Sequence, residues 1–282
     1  MAVESGDLRL AVLIDADNIP YKSIKLILDE IALYGTPTLK RIYGDFSKQQ
    51  LSGWKNVLLE NAITPVQHFG YTTGKNSTDS AMVIDAMDIL YEGKVDGFCI
   101  VSSDSDFTRL VMRLRESGLK VYGFGEKKTP GPFIAACDKF VYIEVLQEHV
   151  AFPEKTEETE PPKEETGTPP VQEPAEEQGL PNRIVELIVS SIRDISDEDG
   201  WAFLGTLGSL LIKKQPDFDP RNFGFRSLTP LVKTIPGLET DTRRNGNNGT
   251  RHIYVRVRRE TPPPAAPKPR NNSKSKKKYR SK

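Results

Sequence analysis

Along the first 150 residues, apolar positions follow two alternating patterns. Short, nearly continuous apolar runs read as buried strands near 10–14, 39–43, 64–68, 98–102, 119–123 and 140–144. Between them apolar positions recur at helical spacing, near 20–33, 48–61, 77–91, 105–117 and 131–137. Ala81, Ile84, Met87, Ile89 and Leu90 follow Ser77 and Thr78 at close to the helical period. Strand–helix alternation at this spacing predicts an α/β fold with a parallel sheet, helices on both faces and right-handed crossovers. Asn18, two residues before Pro20, is placed to cap the first helix, with Pro20 in its first turn. Gly118 is placed to end the helix that begins at Asp104 or Ser105. Nothing after the last strand, FVYIEV, continues the pattern.

The pattern stops over residues 151–180, where Glu, Pro and Thr dominate and large apolar side chains almost vanish. Such a segment buries too little surface to offset its ordering entropy and reads as an extended linker. Helical spacing resumes in RIVELIVSSI (183–192), WAFLGTLGSLLIKK (201–214) and RSLTPLVKTI (226–235). Residues 237–257 read as two strands around an Asn/Gly-rich loop. Three helices and a hairpin predict a small winged helix-turn-helix, with Trp201, Phe203, Leu204, Leu207, Leu210 and Leu211 expected in its core. The last segment, 261–282, is basic and of low complexity, and is expected to be disordered. The expected boundaries are 1–150, 151–180, 181–260 and 261–282.

Composition changes this picture in one respect. The 39 basic and 39 acidic residues cancel, but they are segregated. Residues 1–150 carry 16 Lys/Arg and 20 Asp/Glu, 151–180 carry 2 and 9, 181–260 carry 13 and 10, and 261–282 carry 8 and none. An acidic half joined to a basic half suits a polyanionic substrate. The two cysteines, Cys99 and Cys137, form no CxxC pair and read as buried, reduced thiols of a cytoplasmic protein. No apolar run approaches the ~20 residues that span a bilayer, so no membrane partner is expected. MAVESGDLRL lacks the basic and apolar regions of a signal peptide.

The candidate chemistry lies at strand ends. LAVLIDADNI (10–19) and FCIVSSDSDF (98–107) are buried-strand patterns that run into Asp15 and Asp104. A carboxylate is costly inside a strand and is better placed at its C-terminal end, where open α/β sheets put their ligands. Asp79 falls in the first turn of the 77–91 helix, where the helix dipole alone also favours a carboxylate. Asp106 enters the helix after Asp104, and Ser102, Ser103 and Ser105 supply hydroxyls around it. Asp85 is ambiguous, Asp88 reads as a solvated face residue, and Asp45 reads as a turn residue. Converging carboxylates repel one another and favour a hard cation, Mg²⁺ or Mn²⁺. Lys75 is placed either to meet a scissile phosphate or as a solvated loop lysine. No histidine is placed for acid–base work: His68 sits at a strand end, His149 at the domain boundary and His252 in the wing.

LIDADN (13–18), KNSTDSAMVIDAMDIL (75–90), VSSDSDF (101–107) and GLKVYGFGEKKTP (118–130) resemble the NYN domain of the PIN-like nuclease superfamily. The resemblance covers about residues 8–146 and implies a Rossmannoid α/β fold with an acidic Mg²⁺ pocket and ribonuclease activity. It carries the pocket's metal and catalytic roles to Asp15, Asp79, Asp104 and Asp106, and the Asn of the D-x-x-N motif to Asn18. Asp17 is extra to the pattern and is kept as a further ligand. Residues 201–232 with the following hairpin resemble an OST-HTH/LOTUS domain, which implies RNA binding and protein partners. Lys213, Lys214, Arg226, Arg243, Arg244 and Arg251 are its candidate nucleic-acid contacts, with Arg256, Arg258 and the wing asparagines beside them.

The leading expectation is a Mg²⁺-dependent endoribonuclease with an RNA-binding winged helix, its linker letting the halves reach separate segments of one strand. The alternatives are a non-catalytic RNA-binding adaptor and, more remotely, a haloacid-dehalogenase-type phosphatase with Asp15 as nucleophile.

Overall fold

The computed structural model describes residues 7–69, 77–150, 180–245 and 250–258. Lys75, Asn76, Asn247, Asn248 and nearly all of the 151–180 and 261–282 segments lie outside them. In the first half, strands β1 (Arg9–Asp15), β2 (Thr36–Gly44), β3 (Thr64–Gln67), β4 (Gly97–Val101), β5 (Lys120–Gly125) and β6 (Lys139–Tyr142) form one sheet, every pair parallel. Helices α1 (Ile24–Ile31), α2 (Trp54–Glu60), α3 (Ser77–Glu92), α4 (Thr108–Glu116), α5 (Gly131–Ala136) and α6 (Ile143–Val150) alternate with or follow them. The fold class expected from the alternation is the one observed.

Period-2 alternation divides the central strand between two cores. Leu10, Val12 and Ile14 pack with Ile24, Ile27 and Ile31 of α1, with Trp54 and with Leu146. Ala11 and Leu13 face the other way, onto Met82, Ala86 and Ile89 of α3 and Leu110, Val111 and Leu114 of α4. With both faces covered, β4 is buried throughout and β1 in all but its first residue, which is why they read as unbroken apolar runs.

The strand order is β3-β2-β1-β4-β5-β6. The chain therefore builds outward from β1 to β3, returns to β4, and builds outward again to β6. The reversal leaves a crevice between the C-terminal ends of β1 and β4, where doubly wound sheets bind ligands. Asp15 is the last residue of β1, and Asp104 lies three residues past the end of β4.

Two local expectations are corrected. The run read as a strand to 144 changes element at Ile143, and α6 follows directly, placing Leu146 against α1. Asn18 does not cap the first helix: Pro20 occupies the N-cap of the 3-10 turn Tyr21–Ser23, and the Asn18 amide is engaged with Asp15. Gly118 ends α4 as expected, at φ +84°. Cys99 and Cys137 are buried free thiols.

The second half contains α7 (Asn182–Ile195), β7 (Ala202–Phe203), α8 (Leu204–Lys214), α9 (Leu228–Thr234), β8 (Leu238–Asn245) and β9 (Thr250–Val257). Its core is Ile184, Ile188, Leu207, Leu211, Leu231, Val232 and Val255. The sheet order is β7-β9-β8, antiparallel. The expectation that the 201–214 stretch is helical from its first residue fails, because Ala202 and Phe203 pair with β9 before α8 begins. Phe203 consequently leaves the core and is 37% exposed, and Trp201 is only half-buried.

The two halves are docked rather than independent. Arg221 forms a bidentate pair with Glu30 at 2.8 Å on both arms and a second pair with Asp219 at 2.7 Å. The Tyr34 hydroxyl donates to Glu30, and Lys139 Nζ donates to the Tyr34 oxygen at 2.8 Å. Tyr142 donates to Asp217 at 2.8 Å. On the sheet's outer strand, β6, the Phe140 N–H donates to the Pro216 carbonyl at 2.8 Å, satisfying an edge group that would otherwise invite pairing.

Candidate metal centre at the sheet crevice

The crevice is built on Asp15. Its side chain is buried, and both oxygens accept hydrogen bonds: Oδ1 from the Asp17 N–H at 3.1 Å, Oδ2 from the Asn18 amide at 2.6 Å and from Ser102 Oγ at 2.8 Å. Burial raises the Asp15 carboxyl above the ordinary range, and these hydrogen bonds oppose the shift. Ser102 links the two strand ends, because its oxygen also accepts the Asp104 N–H at 3.0 Å. Asp104 in turn accepts the Asp106 N–H at 2.8 Å and starts the 3-10 turn Ser105–Phe107. Ser103 Oγ accepts the Glu126 N–H at 2.8 Å, tying in the end of β5. Gly125 permits that approach, since a Cβ there would lie 2.7 Å from both the Ser102 carbonyl and Thr129 Oγ1.

Asp79, Asp104 and Asp106 each bring a carboxylate oxygen within 4.8 Å of the others, Asp106 from an exposed position and the other two half-buried. Asp15 lies outside this group of three, but its charge reaches Asp79. Burial, then the charges of Asp15, Asp104, Asp106 and Asp17, push Asp79 up to about 6. A donor set made only of carboxylate oxygens, with mutual repulsion expressed in this way, fits a hard divalent cation.

A carboxyl whose pKa is raised in the fold penalises the folded state at pH above the raised value and not below its ordinary value. Asp79→Asn is therefore expected to raise the melting temperature of the metal-free protein at about pH 8 and to make no difference at a pH well below the ordinary Asp value. A thermal-shift series in EDTA checks this; equal melting temperatures at the higher pH would refute it.

The other expected site residues divide clearly. Asn18 joins the site through Asp15, and Asp17 is exposed beside it. Asp85 pairs instead with Arg41 and Tyr43, and Asp88 is exposed. Asp45 is a turn residue, accepting from Ser47 and from Gln67. Lys214 is engaged with Asp194 at 2.6 Å and with Ser191 at 3.0 Å, which removes it from an open contact surface. Lys213, Arg226, Arg243, Arg244 and Arg251 are exposed. Ser102, expected only as a hydroxyl beside Asp104, also ties Asp15 to Asp104, a link with no signal in the sequence until the two strands are side by side.

The NYN domain model matches residues 9–144, and the OST-HTH/LOTUS domain model matches residues 179–250. An uncharacterized protein of Methanocaldococcus jannaschii is 28% identical over 124 residues, 43% of this chain and 48% of that protein. The chain thus spans about half the length of this curated relative. A crystal structure of a Vibrio parahaemolyticus protein of unknown function aligns over 50% of this chain and 95% of its own, at 20% identity and a TM-score of 0.41. A solution structure of an uncharacterized protein from Nitrosomonas europaea covers 36% of this chain and 95% of its own, at 31% identity and a TM-score of 0.27. A Chromobacterium violaceum solution structure covers 30% and 88%, at 33% identity and a TM-score of 0.24. No helix among the described residues is long and apolar enough to cross a membrane. The chain carries, in this order, an NYN domain of the PIN-like nuclease superfamily over residues 9–144 and an OST-HTH/LOTUS domain over residues 179–250.

Proposed function

We propose that the chain is a divalent-cation-dependent endoribonuclease that holds its RNA through the C-terminal domain. The observation that carries this reading is the cluster of Asp79, Asp104 and Asp106, with Asp15 behind it, at the strand-order reversal of the sheet. Asp79, Asp104 and Asp106 would hold Mg²⁺ or Mn²⁺. A cation there supplies Lewis acidity toward a phosphodiester and lowers the pKa of an attacking water. Asp15 fixes Ser102 and, through it, the Asp104 backbone, while Asn18 neutralises part of the buried Asp15 charge by donation. Lys213, Arg226, Arg244 and Arg251 supply exposed positive charge for the RNA backbone.

The phosphatase alternative fits less well. A nucleophilic carboxylate needs an accessible oxygen, whereas Asp15 is 1% exposed and accepts hydrogen bonds on both oxygens. The test is incubation of end-labelled single-stranded RNA with the full chain in Mg²⁺, Mn²⁺ or EDTA. Internal cuts with either cation and none in EDTA are expected. Binding without cuts in every condition would replace this reading with that of an RNA-binding adaptor.

A further inference from the structure

The three-stranded wing sheet has one face turned to the domain core and one turned away. Register fixes which residues belong to each: Ala202 and Thr240 flank Val255, and one step on Phe203 and Asp241 flank Tyr254. Ala202 and Val255 are buried in the core, so Phe203, Tyr254 and their period-2 neighbours occupy the outer face.

That outer face is aromatic and basic. Phe203 stands with its ring centroid 5.2 Å from His252 and 5.8 Å from Tyr254. The Arg243 guanidinium lies 4.9 Å from the Trp201 ring and 4.6 Å from the Tyr254 ring, and that of Arg256 lies 4.5 Å from Trp201. Asp241 holds Arg243 at 2.9 Å, and Glu239 holds Arg256 at 2.7 Å. Solvated faces of antiparallel sheets ordinarily carry polar residues, and this one carries three aromatic rings and an imidazole.

We propose that this face is a stacking platform for unpaired RNA bases, with Phe203 receiving a base. The proposal deepens the RNA-binding reading of the C-terminal domain, on which it rests. Rings stack on bases whatever their identity, but only where the bases are unpaired, so the platform selects single strands over duplex. Arg243 and Arg256 keep the Trp201 and Tyr254 rings in place by cation–π contact.

The test uses the full chain in EDTA, so that its outcome is independent of cleavage. Binding of labelled oligouridylate and oligoadenylate is compared with that of a blunt RNA duplex of equal length. Phe203→Ala is expected to weaken single-strand binding by roughly tenfold and to leave the salt dependence unchanged. Phe203→Tyr, which keeps a ring, should bind like the unaltered chain. Trp201 fluorescence should respond to the single strands and not to duplex, Trp54 being buried and therefore silent. Wild-type affinity in Phe203→Ala, equal loss toward duplex, or a Phe203→Tyr variant as weak as Phe203→Ala would overturn the proposal. So would the absence of any RNA binding, whereas binding with the expected pattern but no cleavage would sustain it and contradict only the nuclease reading.

Discussion

Asp104→Asn is expected to lower RNA cleavage by about a thousandfold while RNA binding stays near wild type. Loss of one carboxylate from the group of three weakens both cation affinity and the field at the reacting phosphate, a loss of several kcal/mol. Asp104 is the cleanest position for this experiment. The oxygen that accepts the Asp106 N–H is kept by an amide, so the 105–107 turn survives. Asp15→Asn is less clean, because its new amide would face the Asn18, Ser102 and Asp17 donors that the carboxylate accepts. Single-turnover cleavage and anisotropy on the same Asp104→Asn preparation check both halves of the prediction. Full activity in Asp104→Asn would remove this cluster from the chemistry, and parallel loss of binding would make its role one of RNA attachment.

Arg221→Ala is expected to have the largest effect on stability outside the three cores. It would leave Glu30 and Asp219, both buried, facing each other without their shared cation. Breaking a buried pair from one side costs about 3–5 kcal/mol. Urea unfolding should show a lowered midpoint or two separate transitions as the domains part. Arg221→Lys should not restore the midpoint, because an ammonium cannot reproduce the bidentate contact. Burial opposes the Glu30 charge, yet donation from Arg221 and Tyr34 holds its carboxyl below the ordinary Glu range. A depressed carboxyl contributes stability above its ordinary pKa and loses it as pH falls through the folded value. Docking should therefore weaken in acid, and the Arg221→Ala deficit should shrink there. An unchanged midpoint in Arg221→Ala at neutral pH would show that the domains are not held at this contact.

The carboxylate crevice was legible in the sequence because two buried strands run into Asp, and a strand interior excludes a lone carboxylate. The sheet's central strands were legible for the same reason, being apolar on both faces. What was illegible depends on residues far apart in the chain. Glu30 and Arg221 each read as an ordinary surface charge, and only docking buries them together. The role of Asn18 turned on a choice between two acceptors, and the nearby carboxylate Asp15 won over the helix N-terminus. Helix α6 was hidden because FVYIEV continues a strand pattern through the residue where the helix begins. In WAFLGTLGSLL the apolar content suits a helix core throughout. Pairing with β9 imposes period 2 on its first residues, sending Ala202 inward and Phe203 outward.

Whether Asp79, Asp104 and Asp106 hold the cation that cuts RNA is tested by one Mn²⁺ titration of the full chain followed in two ways. Paramagnetic resonance counts the bound ion, and labelled single-stranded RNA reports cleavage. Occupancy and cleavage rate are expected to rise together, with Asp104→Asn weakening the first and nearly abolishing the second. Cleavage undiminished in EDTA, or Mn²⁺ occupancy indifferent to Asp104, would contradict it.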